Sequence, residues 1–332
     1  MRSLVTAPRR FLIIGFALMA CLGSSNAAAT ITDIGTEGWY TWRVAATNNA
    51  PDWCCYEWNR GVAKNKSCDL DGKQSTFNSH SDVADFIDQM QVYVLLDRGD
   101  VEKIRIVSAQ CPVRTRTEIV DLGIVDADES VNWLGKSISP RSHLSAHSLA
   151  AISVHEGEKS RDALIEVARH DADLENRKDS VFWMSQVRAN DTASELKQLM
   201  FNDSNAELRE HIAFALSQSI VPDRADALIQ LGRKDKDSDV RSKAWFWLAQ
   251  TGAAESEINI QKAIRDERNQ GVRDELVFAL SQLPDDRAFK ALIAVIEDRK
   301  LSDEDREQAL FWLAQSESDL AFEYLSELIS RR

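Results

Sequence analysis

Positive charge is in short supply in this chain: 40 Lys and Arg stand against 53 Asp and Glu, a formal charge of −13. A chain with that balance repels phosphate backbones, so nucleic acid is not expected as a partner. Past Leu22 there is no apolar run of membrane length, and no spanning helix is expected there. Cysteine stops at Cys111, so everything after it must hold together without disulfides. Catalytic signatures are missing as well. No Gly-x-Ser-x-Gly and no His-Glu-x-x-His occurs, which removes the hydrolase and zinc-protease chemistry those spacings would support. Gly135-Lys136-Ser137 ends like a phosphate loop, but the place five residues before Gly135 holds Ser130 instead of glycine. His143 and His147 could share a helix face, yet no third metal ligand accompanies them. No catalytic residue, cofactor or metal is therefore expected.

What is present begins with an export signal: Arg2, Arg9 and Arg10, an apolar run from Phe11 to Leu22, then Ser25-Asn26-Ala27 before Ala28. Cleavage after residue 27 is expected; lipid attachment at Cys21, behind Leu18-Met19-Ala20, is the rival, although Met19 is large for that place. The mature protein would then sit in the periplasm or outside the cell, with its acidity spread along the chain. Four cysteines remain: Cys54, Cys55, Cys68 and Cys111. An even count in an exported chain points to two disulfides. Neighbouring cysteines rarely bond each other. That leaves Cys54 with Cys68 and Cys55 with Cys111, or Cys54 with Cys111 and Cys55 with Cys68. A four-thiolate zinc site is the alternative, disfavoured by the oxidising compartment and by the vicinal pair.

Residues 28–139 have β texture. Strands are expected from Trp39 to Ala46, on either side of the turn Asp97-Arg98-Gly99-Asp100, and from Ile119 to Val125, with a helix from Ser81 to Gln89. Ser137 to Ser142 reads as a linker.

Residues 140–332 are periodic. The pentapeptide Phe-(Trp/Ala)-(Leu/Met)-(Ser/Ala)-Gln starts at Phe182, Phe214, Phe246, Phe278 and Phe311, at steps of 32, 32, 32 and 33 residues. Such a period marks a solenoid of helical hairpins that bury their apolar faces only by stacking. One helix of each unit carries Leu164, Leu196, Leu228, Ile260, Leu292 and Leu325, with Val167, Leu199, Leu231, Ala263, Val295 and Leu328 three residues on. The other helix carries the Phe column, which is expected to lie in the core. An Arg column, Arg177, Arg209, Arg241, Arg273 and Arg306, follows an acid two residues earlier except after Gly271. Ion pairs between adjacent units are expected from it.

Two further columns bear on function. Trp183, Trp247 and Trp312 alternate with Ala215 and Ala279, as bulky and small residues do in an interdigitated core. The same row could instead anchor a partner's apolar side chains. Gln186, Gln218, Gln250, Gln282 and Gln315 close the pentapeptides, either tying helix ends to neighbouring loops or contacting a partner.

Asp-x-Val-Arg before Ala-x-Phe-x-Leu resembles HEAT-type repeats, of a short kind also seen in bilin lyases. The alternating Phe-Trp-Leu-Ala-Gln and Phe-Ala-Leu-Ser-Gln, the Ala151-Ile152-Ser153-Val154-His155 start and the Cys54-Cys55 pair near Trp39 are similar to a family of exported bacterial HEAT-repeat proteins. That resemblance implies a mainly α fold. A right-handed solenoid of five to six 32-residue repeats would follow a small disulfide-linked β-rich domain. It also implies a non-enzymatic scaffold that binds a protein or peptide. A lyase or maturation factor acting on a bound prosthetic group is the alternative, by analogy of fold alone.

Overall fold

The computed structural model describes residues 30–48, 50–59, 62–72, 87–284, 286–316 and 319–330. The expected export signal, Cys21 and most of the helix expected from Ser81 to Gln89 lie outside them; Gln89 itself opens a strand.

The N-terminal part holds eight strands among the described residues: β1 (Gly38–Ala45), β2 (Cys55–Asn59), β3 (Val62–Lys66), β4 (Cys68–Asp69), β5 (Gln89–Asp97), β6 (Asp100–Ser108), β7 (Val113–Arg114) and β8 (Ile119–Ile124). The main sheet runs β6-β5-β1-β8, with β8 parallel to β1 and the other pairs antiparallel. The turn between β5 and β6 places Arg98 at φ 54° and Gly99 at φ 88°. Positive φ at both central residues gives a turn whose twist matches that of the strands it joins. Alternation divides the sheet's two faces. Tyr40, Trp42, Val44, Val92, Val94, Ile104 and Ile106 enter the large core shared with the helices. Trp39, Tyr93 and Val107 face the other way, onto a small core built around the cysteines.

Cys54 is bonded to Cys111 and Cys55 to Cys68, at Cα separations of 5.5 and 5.2 Å. Of the two pairings open to the sequence, this is the second. Asp71 closes the same corner: it accepts hydrogen bonds from Trp39 Nε1, Thr115 Oγ1 and the Arg116 amide.

Thirteen α-helices follow among the described residues. The first, α1 (Ala127–Gly135), packs on β1 and on the start of the repeats. Two rows then alternate along the chain. The second-helix row, named for the helices that carry the pentapeptide, is α2 (Ser145–Ser153), α4 (Leu174–Gln186), α6 (Ala206–Ser217), α8 (Ser238–Gln250), α10 (Gln270–Ser281) and α12 (Asp303–Ala314). The first-helix row is α3 (Glu158–His170), α5 (Ala189–Asn202), α7 (Arg224–Lys234), α9 (Ser256–Asp266), α11 (Asp286–Glu297) and α13 (Asp319–Ser330). Each second helix contacts the next in its row, and the first helices from α3 to α11 do the same. The expected linker is a pair of turns between α1 and α2, but it does not separate two cores. Strand β1 continues into the repeats through an isolated bridge from Ala46 to His155 and hydrogen bonds from Thr47 N to Val154 O and from Glu156 N to Ala45 O.

The two apolar columns of the first helices are mostly core, with Val167 only half-buried. Leu164, Leu196, Leu228, Ile260 and Leu292 are buried, as are Leu199, Leu231, Ala263 and Val295. On α13 the pattern loosens: Leu325 is half-buried and Leu328 exposed. One tryptophan does enter the repeat core. Trp245 of α8 is buried and donates Nε1 to Gly232 O at 3.1 Å. A Cβ on Gly232 would stand 2.5 Å from the Trp245 ring. Gly232→Ala should therefore destabilise the protein by about 1–3 kcal/mol through overpacking, despite alanine's better helix propensity. A urea midpoint equal to or above that of the parent would show that the ring can move aside.

The Arg column ties each unit to the next. Arg177 pairs with Asp203, Arg209 with Asp235 (2.7 and 2.8 Å), Arg241 with Glu267 (2.9 Å) and Arg273 with Asp305 (2.9 Å). The acceptors are not the acids two residues before each Arg; they lie in the turn, or in the first turn of the helix, of the following unit. Asp203, Asp235 and Glu267 also accept the backbone N–H two residues on, at Asn205, Asp237 and Asn269, which cap α6, α8 and α10. Glu175, Glu207, Asp239 and Glu304 stand instead in the first turns, where the helix dipole favours them. Arg306 pairs instead with Asp303 within α12.

Candidate functional site

On a helix of 3.6 residues per turn, the places two before and two after the Phe lie nearly opposite it. Those places are the core: Ser180 and Met184, Ile212 and Leu216, Ala244 and Leu248, Leu276 and Leu280, Ala309 and Leu313 are all buried. The Phe therefore points away from the first-helix row. This corrects the expected core placement: Phe182, Phe214, Phe246 and Phe278 are half-buried and Phe311 is 52 % exposed. Neighbouring second helices shield their sides, and among the described residues no second layer covers their outer edge.

The Trp row lies beside them. Trp183, Trp247 and Trp312 are half-buried, packed on the core by one edge and open at the other. Two of them meet the Phe of the preceding unit: Trp247 lies 4.9 Å from Phe214 and Trp312 lies 4.8 Å from Phe278, ring centre to ring centre. Phe246 stacks on Phe278 at 5.9 Å. The unit before Trp183 has Ala150 in the Phe place, and there the β module supplies Trp53, edge-on to Trp183 at 5.3 Å. Ring contacts thus run as a strip from Trp53 of the disulfide module through Trp183 to Phe182, and in a second stretch from Phe214 to Phe311, along one edge of the second-helix row. Ala215 and Ala279 sit at the Trp position in the intervening units and are buried.

The glutamines close the strip at the C-terminal helix ends, but they do not tie those ends to loops. In three units a serine before the Gln donates Oγ to the Phe carbonyl and accepts from the Gln amide: Ser185 with Gln186, Ser217 with Gln218 and Ser281 with Gln282. Gln186 also reaches the Ala215 carbonyl at 3.4 Å. Gln250 and Gln315 have alanine before them and no side-chain hydrogen bond among the described residues. Gln282, Gln315 and Trp312 come together around a cleft of about 210 Å³ that also takes in Phe289. That volume suits one side chain better than a drug-sized ligand.

The N-terminal halves of the same helices are acidic, which motif reading missed. Burial, with Glu175 and Asp173 nearby, pushes the Asp179 carboxyl up to about 6. Burial, then Asp239 and Asp237, raises Glu210. His211, 5.7 Å from Phe214, is held below its ordinary value by burial and by Lys178. Spacing from the Phe column carries the signal: residues three and four before each Phe share its face.

Serine meets histidine at the junction of the sheet and the helices. Ser130 Oγ lies 2.8 Å from His155 Nε2, and the Ala151 carbonyl holds Nδ1 at 2.7 Å. The Nδ1 contact to a carbonyl makes that nitrogen the donor, so Ser130 donates to Nε2 while accepting from Trp42 Nε1 at 2.8 Å. Both residues are fully buried. The chain Trp42, Ser130, His155, Ala151 clamps the sheet, α1 and α2 together. A nucleophile needs an approach for substrate, and this hydroxyl has none. Asp52, Cys54 and Cys111 form the one metal-like grouping among the described residues, and its two sulfurs are the disulfide. Among the described residues no helix is long and apolar enough to cross a membrane.

Residues 161–245 and 225–314 match the family model of HEAT repeats. No curated protein matches the chain.

Proposed function

We propose that this is an exported, non-enzymatic interaction protein that captures another polypeptide on the outer edge of its second-helix row. One observation carries this: the Phe and Trp rows form a strip that stays partly open to solvent after the fold has satisfied its core. Half-exposed aromatics with a rigid backbone are efficient anchors, since they bury large area at small entropic cost. Repeat units that match HEAT repeats suit an extended partner, because a stacked row offers the same chemistry at regular intervals. The serine relays fix the orientation of Gln186, Gln218 and Gln282, leaving each carbonyl oxygen for a partner.

Photocrosslinking from position 250 tests the role. A partner band should form there and fail to form from position 166 on the first-helix row. Trp247→Ala should abolish the band while costing about 1–2 kcal/mol of stability, as expected for half-buried area. Crosslinking that persists in Trp247→Ala, or that favours position 166, would move the interface elsewhere.

A further inference from the structure

Beside the aromatic strip runs a second one. Residues three, four and seven before each Phe share its helix face. Over α4, α6, α8, α10 and α12 these places hold nine acids against two lysines, Lys178 and Lys243, a far steeper imbalance than the 53 to 40 of the whole chain. Lys178 is already engaged by Glu175 and Glu207. Asp179, Glu210, Glu275 and Glu307 form no ion pair among the described residues, whereas Arg177, Arg209, Arg241 and Arg273, on another side of the same helices, are consumed by their inter-unit pairs. The raised carboxyls of Asp179 and Glu210 mark a field that the fold leaves unbalanced.

We propose that the occupant of this face is a basic, extended segment of another protein, with its apolar side chains on the Phe and Trp rows and its Lys or Arg side chains on the acidic strip. This deepens the polypeptide-binding role above and rests on it. A cation beside an aromatic face gains from the ring as well as from the carboxylates. The dimensions agree: packed helices lie about 8–10 Å apart, and an extended chain advances about 3.3 Å per residue. A matching segment would present one basic and one apolar residue in about every three, over about 15 residues for five helices.

Three fluorescein-labelled peptides test this against the full chain by anisotropy: five repeats of Lys-Leu-Ser, the same with Gln for Lys, and the same with Glu for Lys. The Lys peptide should bind at least tenfold tighter than the Gln peptide at low salt, lose most of that margin at high salt, and outcompete the Glu peptide entirely. The triple variant Asp179→Asn, Glu210→Gln, Glu275→Gln should erase the preference for Lys over Gln. Neutralising Glu166, Asp226 and Asp266 on the first-helix row should leave it intact. Trp247→Ala should weaken the Lys and Gln peptides alike. Equal binding of the Lys and Gln peptides to the parent would overturn the basic partner while leaving the aromatic interface standing. Lys-selective binding that ignores both the triple variant and Trp247→Ala would overturn both. No binding of any peptide would overturn the extended basic segment.

Discussion

Replacing Arg209 with Ala is expected to remove about 3–5 kcal/mol of stability, and replacing Arg306 with Ala less than about 0.5 kcal/mol, although both belong to one sequence column. Arg209 and Asp235 are exposed by only 2 % and 5 % at their side chains, and the guanidinium also donates to the Asp203 carbonyl at 2.8 Å. Burial works against the Asp235 carboxylate, but the bonds from Arg209 and from the Asp237 amide outweigh it and hold the carboxyl below its usual range. Removing the cation leaves that carboxylate buried with one partner fewer, which costs far more than the pair contributes relative to an apolar substitute. It also loosens the turn that caps α8. Arg306 is half-buried but pairs within its own helix with Asp303, which is 85 % exposed, so solvent screens the pair. Urea unfolding followed by far-UV circular dichroism gives both numbers. A cost below about 1 kcal/mol for Arg209→Ala would mean that the Asp235 carboxylate finds water or another donor. Because units couple through nearest neighbours, a break in the middle of the array should also broaden the transition.

Much of the repeat architecture was legible because it depends on spacing. The Leu and Val columns stand three apart on one helix face, and no other arrangement of a 32-residue unit buries both. The Arg column was legible as a structural device, but its partners were not. A residue two places away in sequence is a poor guide to one 26 residues away that the stacking brings alongside. Disulfide pairing stayed open for the same reason: the choice between two connectivities depends on where the hairpin of β5 and β6 brings Cys111 relative to Cys54 and Cys55, which local pattern does not encode.

Failure at the Phe column has a different cause. A large invariant aromatic in a repeat reads as core, yet the helix has two apolar faces and only one is covered by the other row. The place two before the Phe marks the covered face: in α4 it holds Ser180, whose hydroxyl donates to the Leu164 carbonyl of α3 at 2.6 Å. Trp245 and Trp247 in one helix make the same point, since two residues of identical chemistry, two positions apart, end up in the core and on its edge. The role of Trp53 could not be read locally, although the missing Phe at Ala150 left a gap for something to fill.

Acid should weaken the junction between the sheet and the repeats, but the parent protein should hide the effect. His155 is fully buried and its pKa is lowered from 6.5 to about 4, because burial disfavours the cation, with Arg188 adding to this against the Ala151 carbonyl. The unfolded chain binds a proton in that window and the folded chain does not. Stability from this residue is therefore complete above about pH 6.5 and falls as pH drops towards 4, by about 3 kcal/mol over the range. Asp179 has the opposite sign. Its folded pKa of about 6 lies above the ordinary 3.8, so the unfolded chain ionises first and acidification stabilises the fold across nearly the same window. By the same arithmetic that offset is up to about 3 kcal/mol, reduced by solvent screening at a half-buried group. Lowered pKa values at His147 and His211 act in the direction of His155, and the raised one at Glu210 in that of Asp179. Asp179→Asn should thus be more stable than the parent near neutrality and lose that advantage as pH falls to about 4.5, exposing the steep His155 profile. His155→Gln, whose amide can still accept from Ser130, should flatten the profile in the Asp179→Asn background. Urea midpoints at about pH 6.5, 5.5 and 4.5 for the two variants and their combination decide the matter. A parallel shift of all profiles, with no change in slope, would show that neither group titrates in this window and that the clamp at Ser130 opens before its histidine takes a proton.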